Sequence, residues 1–173
     1  MTMDLDSLVR TVPDFPSPGI VFRDISPLLA DPAAFGQCIE ALARPWIGQG
    51  VQAVCGIESR GFIFGAALAQ SLHAGFVPLR KPGKLPPPVS GVDYQLEYGT
   101  DRLEARTDAL RAGQRVLLVD DVLATGGTLG AARALVQMLG AELVGAVVVI
   151  ELDALGARAH WPAATPLHSL LHY

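Results

Sequence analysis

Two adjacent carboxylates, Asp120 and Asp121, end the run Arg115-Val116-Leu117-Leu118-Val119, and Ala124-Thr125-Gly126-Gly127-Thr128 follows three residues later. A Thr-Gly-Gly-Thr loop at a helix start turns free backbone N–H groups and two hydroxyls into one small volume. The helix dipole adds partial positive charge there, so a phosphate fits without any lysine. Paired glycines let the backbone approach the anion closely. No Gly-Lys-Ser/Thr is present, which excludes a Walker A loop. The two aspartates cannot bind phosphate themselves. They suit neutral hydroxyls, or a hydrated divalent cation beside the phosphate, as on a ribose 5-phosphate. The blander reading is a tight strand–helix turn with Thr125 as cap, and the preceding apolar strand argues against it.

Three other segments hold chemistry-bearing residues. Glu58-Ser59-Arg60-Gly61 opens a helix, so its amides and the Arg60 guanidinium suit diphosphate oxygens; a capped helix start with Arg60 in a surface ion pair fits the motif as well. Residues 80–91 hold Arg80, Lys81 and Lys84 among four prolines and two glycines. That composition suits a mobile lid with charge at its root, closing over a polyanion and excluding water. Glu97 lies in Tyr94-Gln95-Leu96-Glu97-Tyr98, facing opposite to both tyrosines. A lone strand glutamate of this kind is ordinarily a solvated face residue.

The elements that must position these groups follow from the patterning. Asp31-Pro32 is an N-cap followed by proline at the first helical position, and Pro45 bends or ends that helix. Apolar strands are expected at 51–57, 75–79, 115–120 and 143–151, with a short one at 167–172. Helices are expected at 3–9, 60–73 and 127–139. Residues 13–27, rich in proline, read as an irregular flap, and residues 80–91 as a segment without regular structure. Alternation around Gly99-Thr100-Asp101 predicts a hairpin of 94–98 with 102–106. Strands alternating with helices define an α/β fold with a mostly parallel central sheet, expected as one domain over 1–173. In such sheets ligands sit beyond the carboxyl ends of the strands. The segments after the strands at 51–57, 75–79 and 115–120 should therefore converge at one edge.

Composition narrows the partners. The 173 residues are 50% hydrophobic, and 13 Lys+Arg against 17 Asp+Glu give a net charge of −4. Nucleic acid and anionic membrane lose ground as partners, and any anion must be held by a local cluster. Cys38 and Cys55 sit in apolar contexts and read as buried free thiols of a reducing compartment. The acidic N-terminus lacks the apolar core of a signal peptide, and 61–79 is too interrupted to span a membrane, so a cytoplasmic protein is expected. The four histidines lack metal-ligand spacing with the cysteines. Gly48-Gln49-Gly50 precedes a strand instead of following one, unlike a dinucleotide loop.

Residues Val119 to Thr128 resemble the phosphoribosyl-diphosphate (PRPP) signature of type I phosphoribosyltransferases. Four blocks in order make the resemblance closer, to the adenine phosphoribosyltransferase family. They are Pro13-Asp14-Phe15-Pro16 through Gly19-Ile20-Val21-Phe22-Arg23-Asp24-Ile25-Ser26-Pro27; Glu58-Ser59-Arg60-Gly61-Phe62 with Phe64-Gly65; Arg80-Lys81, Gly83-Lys84-Leu85-Pro86 and Leu96-Glu97-Tyr98-Gly99; and the signature itself. Arg106 stands where many members carry histidine, and Leu167-His168 replaces an aromatic pair.

The resemblance implies transfer of the phosphoribosyl group from PRPP to N9 of adenine, giving AMP and pyrophosphate. It implies that Ala124, Thr125, Gly126, Gly127 and Thr128 hold the 5-phosphate, and that Asp120 and Asp121 hold the ribose hydroxyls, or Mg²⁺ through water. Glu58, Ser59, Arg60, Arg80, Lys81 and Lys84 are implied for pyrophosphate, the Glu58 loop often with a non-proline cis peptide. Val21, Phe22 and Arg23 are implied for adenine, whereas from composition alone that flap reads as packed on the core. Glu97 is implied as the acid/base at N7, and Arg60, together with Mg²⁺ bound mainly with PRPP and pyrophosphate, as stabilising the departing pyrophosphate. Arg80 is implied to reach a neighbouring subunit, hence a homodimer. Two rivals share the signature: a 6-oxopurine phosphoribosyltransferase, and more distantly a non-catalytic PRPP-sensing regulator. The regulator usually carries a basic face or an added DNA-binding segment, neither of which is seen here.

Overall fold

The computed structural model describes residues 3–96 and 99–173; Glu97 and Tyr98 lie outside the described residues. The chain divides into two compact units, residues 1–41 and 42–173.

In the first unit a single 3-10 turn, Asp6–Leu8, stands where a helix over 3–9 was expected. Strand β1 (Arg10–Pro13) then pairs antiparallel with β2 (Val21–Asp24). The proline-rich flap is thus partly ordered, which corrects the irregular segment expected over 13–27. Val12 opposes Phe22, and the Phe22 ring meets Phe15 edge-on at 5.2 Å. Between the strands Asp14 accepts the Gly19 N–H at 2.7 Å through its carboxylate, closing the turn. A short helix α1 (Ser26–Ala30) leads to α2 (Pro32–Ala43), whose last two residues belong to the next unit. The Asp31 carboxylate caps α2 by accepting the N–H groups of Ala33 and Ala34, both at 2.9 Å. Helix α2 stops before Pro45, in a 3-10 turn Arg44–Trp46.

The second unit carries the sheet. Its strands and helices run β3 (Ala53–Ile57), α3 (Gly61–Ser71), β4 (Gly75–Leu79), β5 (Val89–Gln95), β6 (Thr100–Arg106), β7 (Arg115–Leu123), α4 (Gly127–Met138), β8 (Glu142–Glu151) and β9 (Leu167–His172). Five strands form one sheet in the order β4-β3-β7-β8-β9, and every pairing in it is parallel. The near-continuous apolar runs of β3, β7 and β8 follow from burial on both faces. Cys55, Ile57, Val116, Leu118, Ala146 and Val148 share a core with Leu129, Ala132, Leu135 and Val136 of α4. The alternate residues Val54, Leu117, Val119 and Val147 are buried on the other face, where α3 packs.

Strands β5 and β6 form a separate antiparallel hairpin, which packs on α4. Its first strand starts at Val89, five residues before the expected position, so 80–91 is not wholly irregular. Pairing with Ala105 and Arg106 draws Ser90 and Val89 into the ladder. Arg106 donates to the carbonyls of Pro86 and Pro87 and to the Asp108 carboxylate, pinning the proline run to the hairpin. His168 packs edge-on against Trp46 at 5.4 Å, taking the place of an aromatic residue. Cys38 and Cys55 are free and buried, and burial pushes both thiols up to about 12. Among the described residues no helix is long and apolar enough to cross a membrane.

Candidate active site

Because β4, β3 and β7 are adjacent and parallel, the segments following them leave the same edge of the sheet. The loop after β7 and the start of α4 enclose a small pocket of about 60 Å³, lined by Asp120 and by residues 122–129. Gly126 caps α4 with φ +89°, a left-handed conformation that a side chain would strain. The first helical bond runs from the Gly130 N–H to the Gly126 carbonyl, so the amides of Gly127, Thr128 and Leu129 have no acceptor within α4. Thr125 is exposed at the mouth, Thr128 half-buried. Donors without acceptors, at the positive end of a helix, define an anion site.

The loop after β3 lies directly against β7. A Cβ at Gly61 would stand 2.9 Å from Asp120 Oδ1 and 3.1 Å from the Val119 carbonyl, so only glycine permits this approach. Arg60 Nε lies 2.7 Å from Asp121 Oδ2, an ion pair in which that buried oxygen makes no aligned hydrogen bond. Asp120 Oδ1 accepts the Asp121 N–H at 2.9 Å. Burial, then the charge on Asp121, push the Asp120 carboxyl well above the usual carboxylate range. Two hard oxygen donors at one strand end, one with an unaligned lone pair, fit a hydrated Mg²⁺, which retains its waters readily. The Glu58–Ser59 peptide bond is cis.

The third segment gathers the cations around one carboxylate. Glu58, at the end of β3, accepts from Arg80 Nε at 3.2 Å and the Lys81 N–H at 2.9 Å, and pairs with Lys84. Burial opposes its ionisation, but Lys84, the Lys81 amide and Arg80 outweigh that and hold the carboxyl at about 2. Arg80 also lies 5.7 Å from the Phe62 ring centre. The Lys81 ammonium pairs with Asp101 and donates to the Tyr94 hydroxyl at 2.7 Å. Tyr94 in turn accepts a long 3.4 Å bond from Thr128, linking the hairpin to the phosphate loop.

The three segments expected to converge therefore do so. Asp120, Asp121, Arg60 and the loop 124–128 form one cluster; Glu58, Arg80, Lys81 and Lys84 form a second. Val21, Phe22 and Arg23 belong to the first unit, where Val21 is exposed and Arg23 donates to the Thr11 hydroxyl at 2.7 Å. Glu97 lies outside the described residues. Sequence reading overlooked Tyr94 and Asp101 as partners of Lys81: Tyr94 entered it only within the alternating segment and Asp101 only within the hairpin turn. Among the described residues one trio could hold an ion directly, Glu151 with Asp153 and His172, but Arg158 already neutralises Glu151.

A parallel sheet with an anion-binding helix start and paired aspartates at its carboxyl edge defines a phosphoribosyltransferase, and the sequence model of the phosphoribosyl transferase domain matches residues 30–162. The chain is 56% identical over 169 residues to the adenine phosphoribosyltransferase of Methylococcus capsulatus, covering 98% of each. The crystal structure of adenine phosphoribosyltransferase from Rhodothermus marinus superposes with a TM-score of 0.93 at 51% identity, over 98% of this chain and 96% of that one. The Saccharomyces cerevisiae enzyme, complexed with D-2,5-dideoxy-2,5-imino-altritol 1,6-bisphosphate and adenine, superposes with a TM-score of 0.92 at 40% identity, over 96% of both chains. The chain belongs to the adenine phosphoribosyltransferase family.

Proposed function

We propose that this protein joins adenine to PRPP, releasing AMP and pyrophosphate in purine salvage, with 1–173 working as one transferase domain. The observation that carries the reading is the meeting of an anion-binding helix start, an Asp-Asp pair and a three-cation cluster at one sheet edge. The bisphosphate and adenine held by the yeast relative fit the same chemistry.

In this reading the residues 124–128 fix the 5-phosphate, and binding energy far from the reacting carbon positions it. Asp120 and Asp121 hold the ribose hydroxyls, or Mg²⁺ through water. Bound Mg²⁺ supplies charge neutralisation to the diphosphate. The anomeric carbon gains positive charge as its bond to the diphosphate oxygen breaks, by analogy with glycoside chemistry. Arg60, with Arg80, Lys81, Lys84 and the Ser59 loop, takes up the departing pyrophosphate. Adenine N9 forms the new bond while Glu97 accepts the proton from N7. Val21, Phe22 and Arg23 read the adenine edge, leaving unpaired groups against a 6-oxopurine, whose donor and acceptor are reversed. The resemblance also supports a cytoplasmic homodimer, and two buried free thiols agree with a reducing compartment.

The test is a stoichiometric one. Adenine and PRPP with Mg²⁺ should give AMP and pyrophosphate in equal amounts, and Glu97→Gln should lower kcat by roughly 100-fold or more. Unchanged kcat in that variant removes Glu97 from the mechanism; no AMP removes the proposal.

A further inference from the structure

We infer that Glu151 and Arg158, which touch no substrate in the reading above, are positioning residues for the 5-phosphate loop, acting on it from behind through Ala157. The inference rests on that loop being the 5-phosphate site. Glu151 is the last residue of β8 and is 4% exposed. Arg158 sits in the 3-10 turn Ala157–His160 and meets it as a two-pronged fork, Nε to Oε1 at 3.0 Å and Nη2 to Oε2 at 2.5 Å. The same guanidinium donates to the Leu167 carbonyl at 2.8 Å and to the Ser169 hydroxyl at 3.0 Å, both on β9. Ser169 donates onward to Glu151. The turn is therefore tied to two strand ends by one planar, geometrically exacting group.

Ala157, the neighbour of Arg158, is 4% exposed and backs the loop. Its methyl carbon is 3.2 Å from the point where a Cβ of Gly126 would stand, and its Cα and carbonyl oxygen are each 3.7 Å from that point. Gly126 is the left-handed residue that aims the unpaired amides of α4. A site built from amide directions tolerates little displacement, and a shift approaching 1 Å can cost two orders of magnitude. Loosening the fork frees the turn, and with it Ala157, which borders the space a Gly126 side chain would enter. The diphosphate-side residues Arg80, Lys81 and Lys84 make no hydrogen bond or ion pair with Glu151, Ala157 or Arg158, and only the long Thr128–Tyr94 bond joins Lys81 to the loop, so the effect should fall chiefly on one end of the substrate.

The experiment uses the full chain with two variants. Arg158→Lys keeps the charge and loses the fork; Ala157→Val keeps the fork and presses on Gly126. Both should raise KM for PRPP by roughly tenfold with KM for adenine unmoved. By calorimetry both should weaken ribose 5-phosphate by a similar factor while pyrophosphate binding holds. Should Arg158→Lys fail to fold, Ala157→Val carries the same readout. Unchanged ribose 5-phosphate affinity in the folded variants, or equal losses for ribose 5-phosphate and pyrophosphate, overturns the clasp alone. A wild-type chain that binds no ribose 5-phosphate overturns the site reading, and the clasp with it.

Discussion

Glu58 sits at the end of β3 in a place assigned, by resemblance, to pyrophosphate, yet a carboxylate cannot bind that anion. In the structure it collects Arg80, Lys84 and the Lys81 amide, the donors a diphosphate would use. In the proposed function its charge would stand in for the anion and keep the cations grouped before substrate arrives. The same pairing links stability to pH. Its carboxyl falls from near 4.5 to about 2 on folding. Its contribution is therefore complete above about 4.5 and is lost as pH falls toward 2. Urea midpoints measured between pH 5 and 2.5 should drop with acidification, and Glu58→Gln should flatten that slope; an unaltered slope contradicts the pairing. The spacing of Arg80, Lys81 and Lys84 was legible in the sequence. Their common partner was not, because it lies 22 or more residues upstream and only parallel pairing of β3 with β4 brings it near.

At the scale of elements, legibility followed burial. The strands 75–79 and 167–172 begin and end where patterning placed them, and β7 is an uninterrupted apolar run before its aspartates. The β1–β2 pair escaped notice because none of its residues is buried and prolines punctuate the segment, so neither alternation nor an apolar run marks them. The start of β5 escaped for the related reason that Pro86-Pro87-Pro88 and Gly91 masked a strand held by its partner. Between α3 and the sheet, fit is strict: a Cβ at Gly65 would lie 2.8 Å from the Phe76 ring and 3.2 Å from Gly56 Cα. Gly65→Ala should cost about 1–3 kcal/mol through overpacking, read from urea unfolding. No loss of stability would mean that β4 yields more easily than its packing indicates.

For the whole molecule, the architecture explains how an acidic chain handles a polyanion. With a net charge of −4 no long-range field draws substrate in. In the proposed function attraction is instead local: helix amides at one end of the site, three cations at the other, and aspartates for hydroxyls or hydrated metal. In the proposed function the choice of adenine over other bases is carried by Val21, Phe22, Arg23 and Glu97. The sequence displayed those four residues through resemblance, not through any pattern of their own. The most direct measurement is a competition in one vessel, with adenine, hypoxanthine, guanine and xanthine equimolar, limiting PRPP, and Mg²⁺ present. The account predicts that AMP accounts for nearly all the nucleotide formed. A 6-oxopurine nucleotide as the main product, or PRPP left intact beside all four bases, would contradict it.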